Sequence, residues 1–130
     1  EFFKKIIVHE NIIHYGHLKQ VEINILANKC HVNVLPSIQD GWGLVVSQSS
    51  ASGCPNIVSD NVGASDFVKK YNTGFSVPIR DSKAILEKLE LLCDDKSLWT
   101  ELSSNSIKHS AKSTWEDYTE KLDKIILEII

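Results

Sequence analysis

Methionine is absent from the sequence, which begins at Glu1; the expectation is an excised piece of a longer chain. Arginine is nearly absent as well, Arg80 being the only one. Lysine and arginine together number 14 against 17 acids, a net charge of −3. The lysines stand singly or in pairs (Lys4–Lys5, Lys69–Lys70) among acids, so there is no basic stripe and nucleic acid is not an expected partner. Cysteine occurs three times, at 30, 54 and 93, with no CxxC pair. That excludes a disulfide framework or a zinc ribbon and leaves reduced, buried thiols as the expectation. No apolar run approaches the ~18–20 residues of a membrane span, and no charged start leads into a signal-type apolar core. A soluble, cytoplasmic domain is expected.

What is present suits one globular domain: 130 residues, 42% hydrophobic and 24% charged. Phe2, Phe3, Ile6 and Ile7 in "EFFKKIIV" have helical spacing, like the end of a helix. "NIIHYG" (11–16) reads as a short strand closed by glycine, and "QVEINILANKC" (20–30) as a helix with Val21, Ile25 and Leu26 on one face. "HVNVLPS" (31–37) reads as a strand ended by Pro36. After "DGWG" comes a helix over about 43–52, then the strand "PNIVSD" (55–60) and a short helix capped by Ser65 or Asp66. "GFSVP" (74–78) is a further strand. Asp81 caps a helix whose Ile85, Leu86, Leu89, Leu92 and Cys93 form one face, and two more helices follow, about 95–110 and 114–130. Brief, nearly continuous apolar strands alternating with helices indicate an α/β fold with a doubly wound parallel sheet.

In such sheets ligands bind outside the carboxyl ends of the strands. Residues 36–43 form such a loop. Glycine at 41 and 43 removes two Cβ atoms, so a ligand can approach the main chain closely. The first amides of the next helix, from about Gly43 to Val45, lack acceptors within the helix and sit at its positive end, where a diphosphate finds several donors. A lone Gly-x-Gly also serves simply to shape a connection, Trp42 to pack, and Asp40 to cap the helix. The wider pattern is more specific than its parts.

That pattern, "VNVLPSIQDGWGLVVSQSSASGCPNIVSD" (32–60) followed by "VGASDFV" and "TGFSVP", resembles the carboxyl-terminal donor-binding domain of the retaining glycosyltransferases of GT-B architecture, the group 1 type. The likeness runs from "NIIHYGHL" (11–18) to "STWEDYTEKLDKII" (113–126). It implies a Rossmann-like doubly wound sheet, truncated so that the chain starts near the family's third strand, as a partial donor-binding domain over 1–130. It implies a nucleotide-diphosphate sugar as substrate with no metal or other cofactor, hexose transfer to a glycan or lipid-linked acceptor through a missing amino-terminal domain, and a parent that is cytoplasmic or peripheral to the inner membrane face. By the same resemblance Asp40 is the catalytic-site acid that contacts donor-sugar hydroxyls. Gly41, Trp42, Gly43, Leu44 and Val45 border sugar and diphosphate, Gln48 holds the ribose, Gly16, His17 and Leu18 lie beside the base, and Ser37 begins the motif loop.

The sequence departs from the family at both acids: Glu-x7-Glu has become Asp-x7-Gln. Asp40 is one methylene shorter, and Gln48 cannot accept both hydrogens of a ribose diol as a carboxylate does. The family's basic pair, placed after its first strand, has no counterpart in these 130 residues. The fragment itself is therefore expected to be inactive in transfer, with a degenerate nucleotide-binding or interaction module as the alternative and an unrelated flavodoxin-like domain as a third reading. His14 and His17 lie three apart on a strand and its exit loop, with no third ligand at metal-site spacing. Ser47, Ser49, Ser50 and Ser52 lack the setting of a nucleophile elbow and read as small residues for close helix packing. The strand at 11–16 is expected to close against "VNVLPS" or to pair with another chain. The last helix carries Leu122, Ile125, Ile126, Ile129 and Ile130, a face that needs a cover such as a second copy.

Overall fold

Three short strands run parallel in the order β1 (Asn33–Leu35), β2 (Asn56–Ser59), β3 (Gly74–Val77). The computed structural model describes residues 10–111 and 115–129. Around the strands lie α1 (Gln20–Ala27), α2 (Leu44–Ala51), α3 (Ser65–Tyr71), α4 (Ser82–Asp94), α5 (Lys96–Ser110) and α6 (Trp115–Ile129). Val34 pairs with Ile57 and Ile57 with Phe75; Leu35 pairs with Val58 and Val58 with Ser76.

Because successive strand residues point to opposite faces, this register divides the core in two. Leu35 and Val58 join Val46 of α2 and Val62, Ala64, Phe67 and Val68 in and before α3. Val34, Ile57, Phe75 and Val77 meet Ile85, Leu89 and Leu92 of α4 with Leu98, Trp99 and Leu102 of α5 on the other face. Ile57 and Val58 are both essentially inaccessible, and each such burial is worth ~1.5–3 kcal/mol. Helices thus cover both faces of a parallel sheet, the doubly wound arrangement expected from the sequence.

The far half of α5 runs across the amino ends of the strands. Ser106 Oγ donates to Thr73 O (3.4 Å), Asn105 Nδ2 to Asn72 O (3.0 Å), and Ser103 and Ile107 pack against Gly53. Near its start Trp99 Nε1 donates to His31 O (2.7 Å). The opposite, carboxyl edge of the sheet is therefore the one left open, and the candidate site residues from 36 to 48 lie there.

Several expectations are corrected. Residues 11–16 form no strand but an irregular, exposed segment. Its run is short, and among the described residues no neighbouring strand offers it a ladder. Val21 and Ile25 are exposed on α1, whose inner face is instead Ile23, Leu26 and Ala27. On α4, Leu86 and Cys93 point outward and the buried seam is Ala84, Ile85, Leu89 and Leu92. Asp81 does cap α4, its carboxylate accepting from Ala84 N at 2.9 Å. The cap position of α3, by contrast, is Ala64, and Ser65 is already helical, its Oγ donating to Asp60 O. Cys54 is buried, but Cys30 and Cys93 are exposed free thiols. On α6, Leu122, Ile125, Ile126 and Ile129 are exposed; the helical reading of residues 1–8 and the position of Ile130 lie outside the described residues.

Candidate functional site

The loop between β1 and α2 is held chiefly by main-chain and loop-to-loop bonds. Ser59 Oγ donates to Ser37 O, and Asn61 Nδ2 to Ile38 O at 3.1 Å. Asp40 N donates to Asn61 O (3.3 Å), Gly63 N to Asp40 O (3.3 Å) and Ala64 N to Trp42 O (2.9 Å). Asp40 and Val62 form an isolated parallel bridge, extending the β1–β2 relationship past the strand ends. Two loops, 37–43 and 60–64, are thereby zipped together at the carboxyl edge.

Glycine is required at two points of that zipper. A Cβ on Gly63 would lie 2.0 Å from the Gly41 carbonyl oxygen and 3.3 Å from Trp42 Cα. Gly43, at φ +82°, is left-handed, and a Cβ there would meet Leu35 Cδ2 at 2.7 Å and Val62 Cγ1 at 3.0 Å. Gly41, by contrast, has open space where a Cβ would stand. Gly43 is the cap residue of α2 with no side-chain cap, so Asp40 does not cap the helix; it stands three residues earlier, with no hydrogen bond to its carboxylate among the described residues. The amides of Leu44 and Val45 open the first turn, and Val46 N returns to Gly43 O (2.8 Å).

Behind the turn, α2 is fixed by a buried polar cluster. Asn56, wholly inaccessible on β2, accepts at Oδ1 from Asn33 Nδ2 (2.8 Å) and from Ser49 Oγ (2.7 Å). Its Nδ2 donates to Ser50 Oγ (2.9 Å) and Cys54 O (3.1 Å). Ser49 and Ser50 are therefore more than small packing residues, because they fasten the helix to the sheet. Cys54 Sγ donates to Cys30 O (2.9 Å), tying the end of this segment to the exit of α1. Burial, and secondarily the Cys30 thiol, push the Cys54 thiol above its ordinary pKa.

The predicted residues fall into two groups. Ser37, Asp40, Gly41, Trp42, Gly43, Leu44, Val45 and Gln48 are brought together by the zipped loops and α2, with Trp42 Nε1 donating to Ser47 Oγ (3.0 Å). Gly16, His17 and Leu18 arrive by a different route. Gln48 Nε2 donates to Gln20 Oε1 at 3.0 Å, which joins the start of α1, two residues after Leu18, to the middle of α2. Gly16 is left-handed at φ +66° and exposed, His17 is exposed and Leu18 half-buried. A shallow cavity of about 190 Å³ opens beside the carboxyl ends of all three strands, with Pro36, Ser59, Val77 and Arg80 among its lining residues. Among the described residues no group of three or more His, Cys, Asp or Glu side chains is placed to hold a metal ion. Gly63, Asn56 and Gln20 went unnoticed in the sequence. Gly63 alone had a signal, a glycine one residue after an apolar position in a loop that follows a buried strand.

Residues 2–112 match the family described as glycosyl transferases group 1. The chain belongs to that family. It is 30% identical over 106 residues to sucrose-phosphate synthase 4 of Arabidopsis thaliana, covering 78% of this chain and 10% of that protein. With the capsular polysaccharide biosynthesis glycosyltransferase CapM of Staphylococcus aureus it shares 36% identity over 95 residues, 69% of this chain and 25% of CapM. The chain thus spans about a tenth to a quarter of the length of these relatives. Its fold superposes on a sucrose-phosphate synthase from Thermosynechococcus elongatus with a TM-score of 0.82 at 20% identity, covering 98% of this chain and 32% of that one. For WaaG, a glycosyltransferase involved in lipopolysaccharide biosynthesis, the TM-score is 0.75 at 19% identity over 95% of this chain and 33% of that one. For the carboxyl-terminal domain of LpcC from Francisella tularensis it is 0.74 at 22% identity, over 86% and 58%. The fold is that of the Rossmann-like carboxyl-terminal domain of a GT-B group 1 glycosyltransferase. Among the described residues no helix is long and apolar enough to cross a membrane.

Proposed function

We infer that this chain is the donor-binding part of a retaining hexosyltransferase and that the zipped turn holds a nucleotide-diphosphate sugar. One observation carries the reading. Loop 60–64 fixes the turn 40–43 so closely that Gly63 and Gly41 meet backbone to backbone, which presents the first amides of α2 at the open edge of the sheet. In this reading Asp40 accepts from donor-sugar hydroxyls, the amides from Gly43 to Val45 bind the diphosphate, Trp42 walls the site, and Gln48 accepts from the ribose. The loop 16–18, drawn in by Gln20, borders the base. The glycan or lipid-linked acceptor is supported by the names of CapM, of capsular polysaccharide biosynthesis, and WaaG, of lipopolysaccharide biosynthesis. It would be held by a further domain, in a protein that works in the cytoplasm or on the inner membrane face. No metal is assigned a role.

These 130 residues carry no Arg and Lys pair after a first strand of the domain, so they bind donor without transferring the sugar. A thermal-shift panel of UDP-, GDP- and ADP-sugars tests the reading. At least one should raise Tm, and Asp40→Ala should reduce that rise without lowering the unliganded Tm; if no nucleotide sugar stabilises the domain, the reading fails. A second reading, a module that has lost catalysis and kept the fold, is favoured by the amide at 48 and is the outcome if nucleotides bind but Asp40→Ala changes nothing.

A further inference from the structure

The amide at position 48 has a partner that gives it a direction. Gln48 Nε2 donates to Gln20 Oε1 (3.0 Å), and Gln20 Nε2 donates to Asn24 Oδ1 (2.9 Å) one turn along α1. The row runs one way: Asn24 accepts, Gln20 accepts and donates, and Gln48 donates, which points the Gln48 N–H group at Gln20 and leaves its Oε1 on the other side. A carboxylate has two equivalent acceptor oxygens and works whichever way it is turned. A primary amide has one acceptor and one donor group, and turned the wrong way it offers N–H to a hydroxyl whose own proton needs an acceptor.

We propose that Gln20, with Asn24 behind it, is a positioning residue that holds Gln48 with Oε1 free as the acceptor for one ribose hydroxyl of the donor nucleotide. This rests on the donor-site reading above and goes beyond it: the row of three amides, all turned one way, replaces the acceptor that a glutamate supplies by charge. The ligand class it selects is a ribonucleotide over its deoxy counterparts. The preference comes from a single neutral hydrogen bond and is correspondingly modest, about threefold to tenfold.

The test is the binding of UDP, GDP and ADP, compared with their 2′-deoxy and 3′-deoxy forms, to the full chain and its variants. Wild type should prefer the ribose form of whichever nucleotide it binds by about threefold to tenfold over at least one deoxy form. Gln20→Ala should bring that ratio to about one with Tm unchanged, since the side chain is exposed. Gln20→Glu, which can only accept from Gln48, should keep the ratio even if its charge weakens all diphosphates equally. Because a ratio is measured, a general loosening of the site does not mimic the effect. An unchanged ratio in Gln20→Ala overturns the positioning role while leaving the donor site intact. A ratio lost equally in Gln20→Glu overturns the polarity argument, and no binding of any diphosphate to wild type overturns the donor-site reading and the relay with it.

Discussion

Gly63→Ala is the substitution that bears most directly on how the site is built. The new methyl carbon would stand 2.0 Å from the Gly41 carbonyl oxygen and 3.1 Å from its carbonyl carbon, against an ordinary contact of 3.4–4 Å. Backbone cannot swing aside as a flexible side chain can, so one loop must retreat by more than an ångström. Overpacking of this kind costs ~1–3 kcal/mol. The retreat also breaks some of the three main-chain bonds Asp40 N to Asn61 O, Gly63 N to Asp40 O and Ala64 N to Trp42 O, each worth ~0.5–1.5 kcal/mol net. The sum is ~2–5 kcal/mol, or roughly 8–20 °C in Tm for a chain of this size. Gly41→Ala supplies the contrast, because a Cβ there meets nothing within 4 Å; it should shift Tm by no more than ~2 °C and, on the donor-site reading, weaken nucleotide-sugar binding by filling space meant for the ligand. Thermal unfolding by circular dichroism and titration calorimetry on both variants decide the matter. A Gly63→Ala protein that melts with wild type and binds as wild type would refute the zipper as the support of the site.

Further predictions concern the chemistry and the core. Gln48→Glu should bind the nucleotide roughly tenfold more tightly at pH 7, since charged hydrogen bonds exceed neutral ones by ~1–1.5 kcal/mol. The gain should vanish as pH falls through the ordinary glutamate range near ~4.3; affinity titrated from pH 8 to 4 checks it, and an equal or weaker affinity at pH 7 contradicts the ribose assignment. Asn56→Val leaves Asn33 Nδ2 without its acceptor and the buried Ser50 Oγ without its donor, a loss of ~2–4 kcal/mol. Adding Asn33→Val and Ser50→Ala should recover at least half of it in urea unfolding, because removing both partners is nearly neutral. For Cys54 the folded thiol titrates above the unfolded one, at ~8.5, since burial disfavours the thiolate. Its contribution to stability is therefore complete below that pH and is lost as pH rises toward the folded pKa, by up to ~1.4 kcal/mol per pH unit. Cys54→Ala should remove that slope between pH 8 and 10, and identical slopes would count against it.

The elements that the sequence disclosed are those in which local pattern and burial agree. "VNVL", "PNIVS" and "GFSV" are apolar, flanked by turn residues, and become β1, β2 and β3 within two residues at each end. Asp81 caps α4 because a side-chain oxygen three residues before an amide needs no tertiary information. "NIIHYG" has the same apolar character and forms no strand, because pairing depends on a neighbour that composition cannot supply. On α1 the spacing predicts the helix and misplaces its face: Val21 and Ile25 have the right spacing, yet the half-buried residues are Ile23, Leu26 and Ala27. In the site, the 40–45 turn was legible from Gly41, Gly43 and the helix that follows. Gly63, Asn56 and Gln20 were not, since each acts on a partner 22 to 28 residues away, through a backbone contact or an amide, and Asn56 and Gln20 carry no local signature at all.

The support of the turn and the groups it presents are physically separate, and that separation bears on the departure at positions 40 and 48. The bonds that fix residues 37–43 use the carbonyls of Ser37, Ile38, Asp40 and Trp42 and the amide of Asp40; the carboxylate of Asp40 takes no part. On α2, the hold on the sheet comes from the hydroxyls of Ser49 and Ser50 through Asn56; the Gln48 side chain takes no part in it and reaches Gln20 instead. A glutamate replaced by Asp40 or by Gln48 therefore costs the fold little, whatever it costs the ligand. Persistence of the fold across relatives of 19–22% identity accordingly says nothing about whether the chemistry persists. Only binding measurements at 40 and 48 speak to that, and substitutions there should move affinity without moving Tm, the reverse of what Asn56 should do.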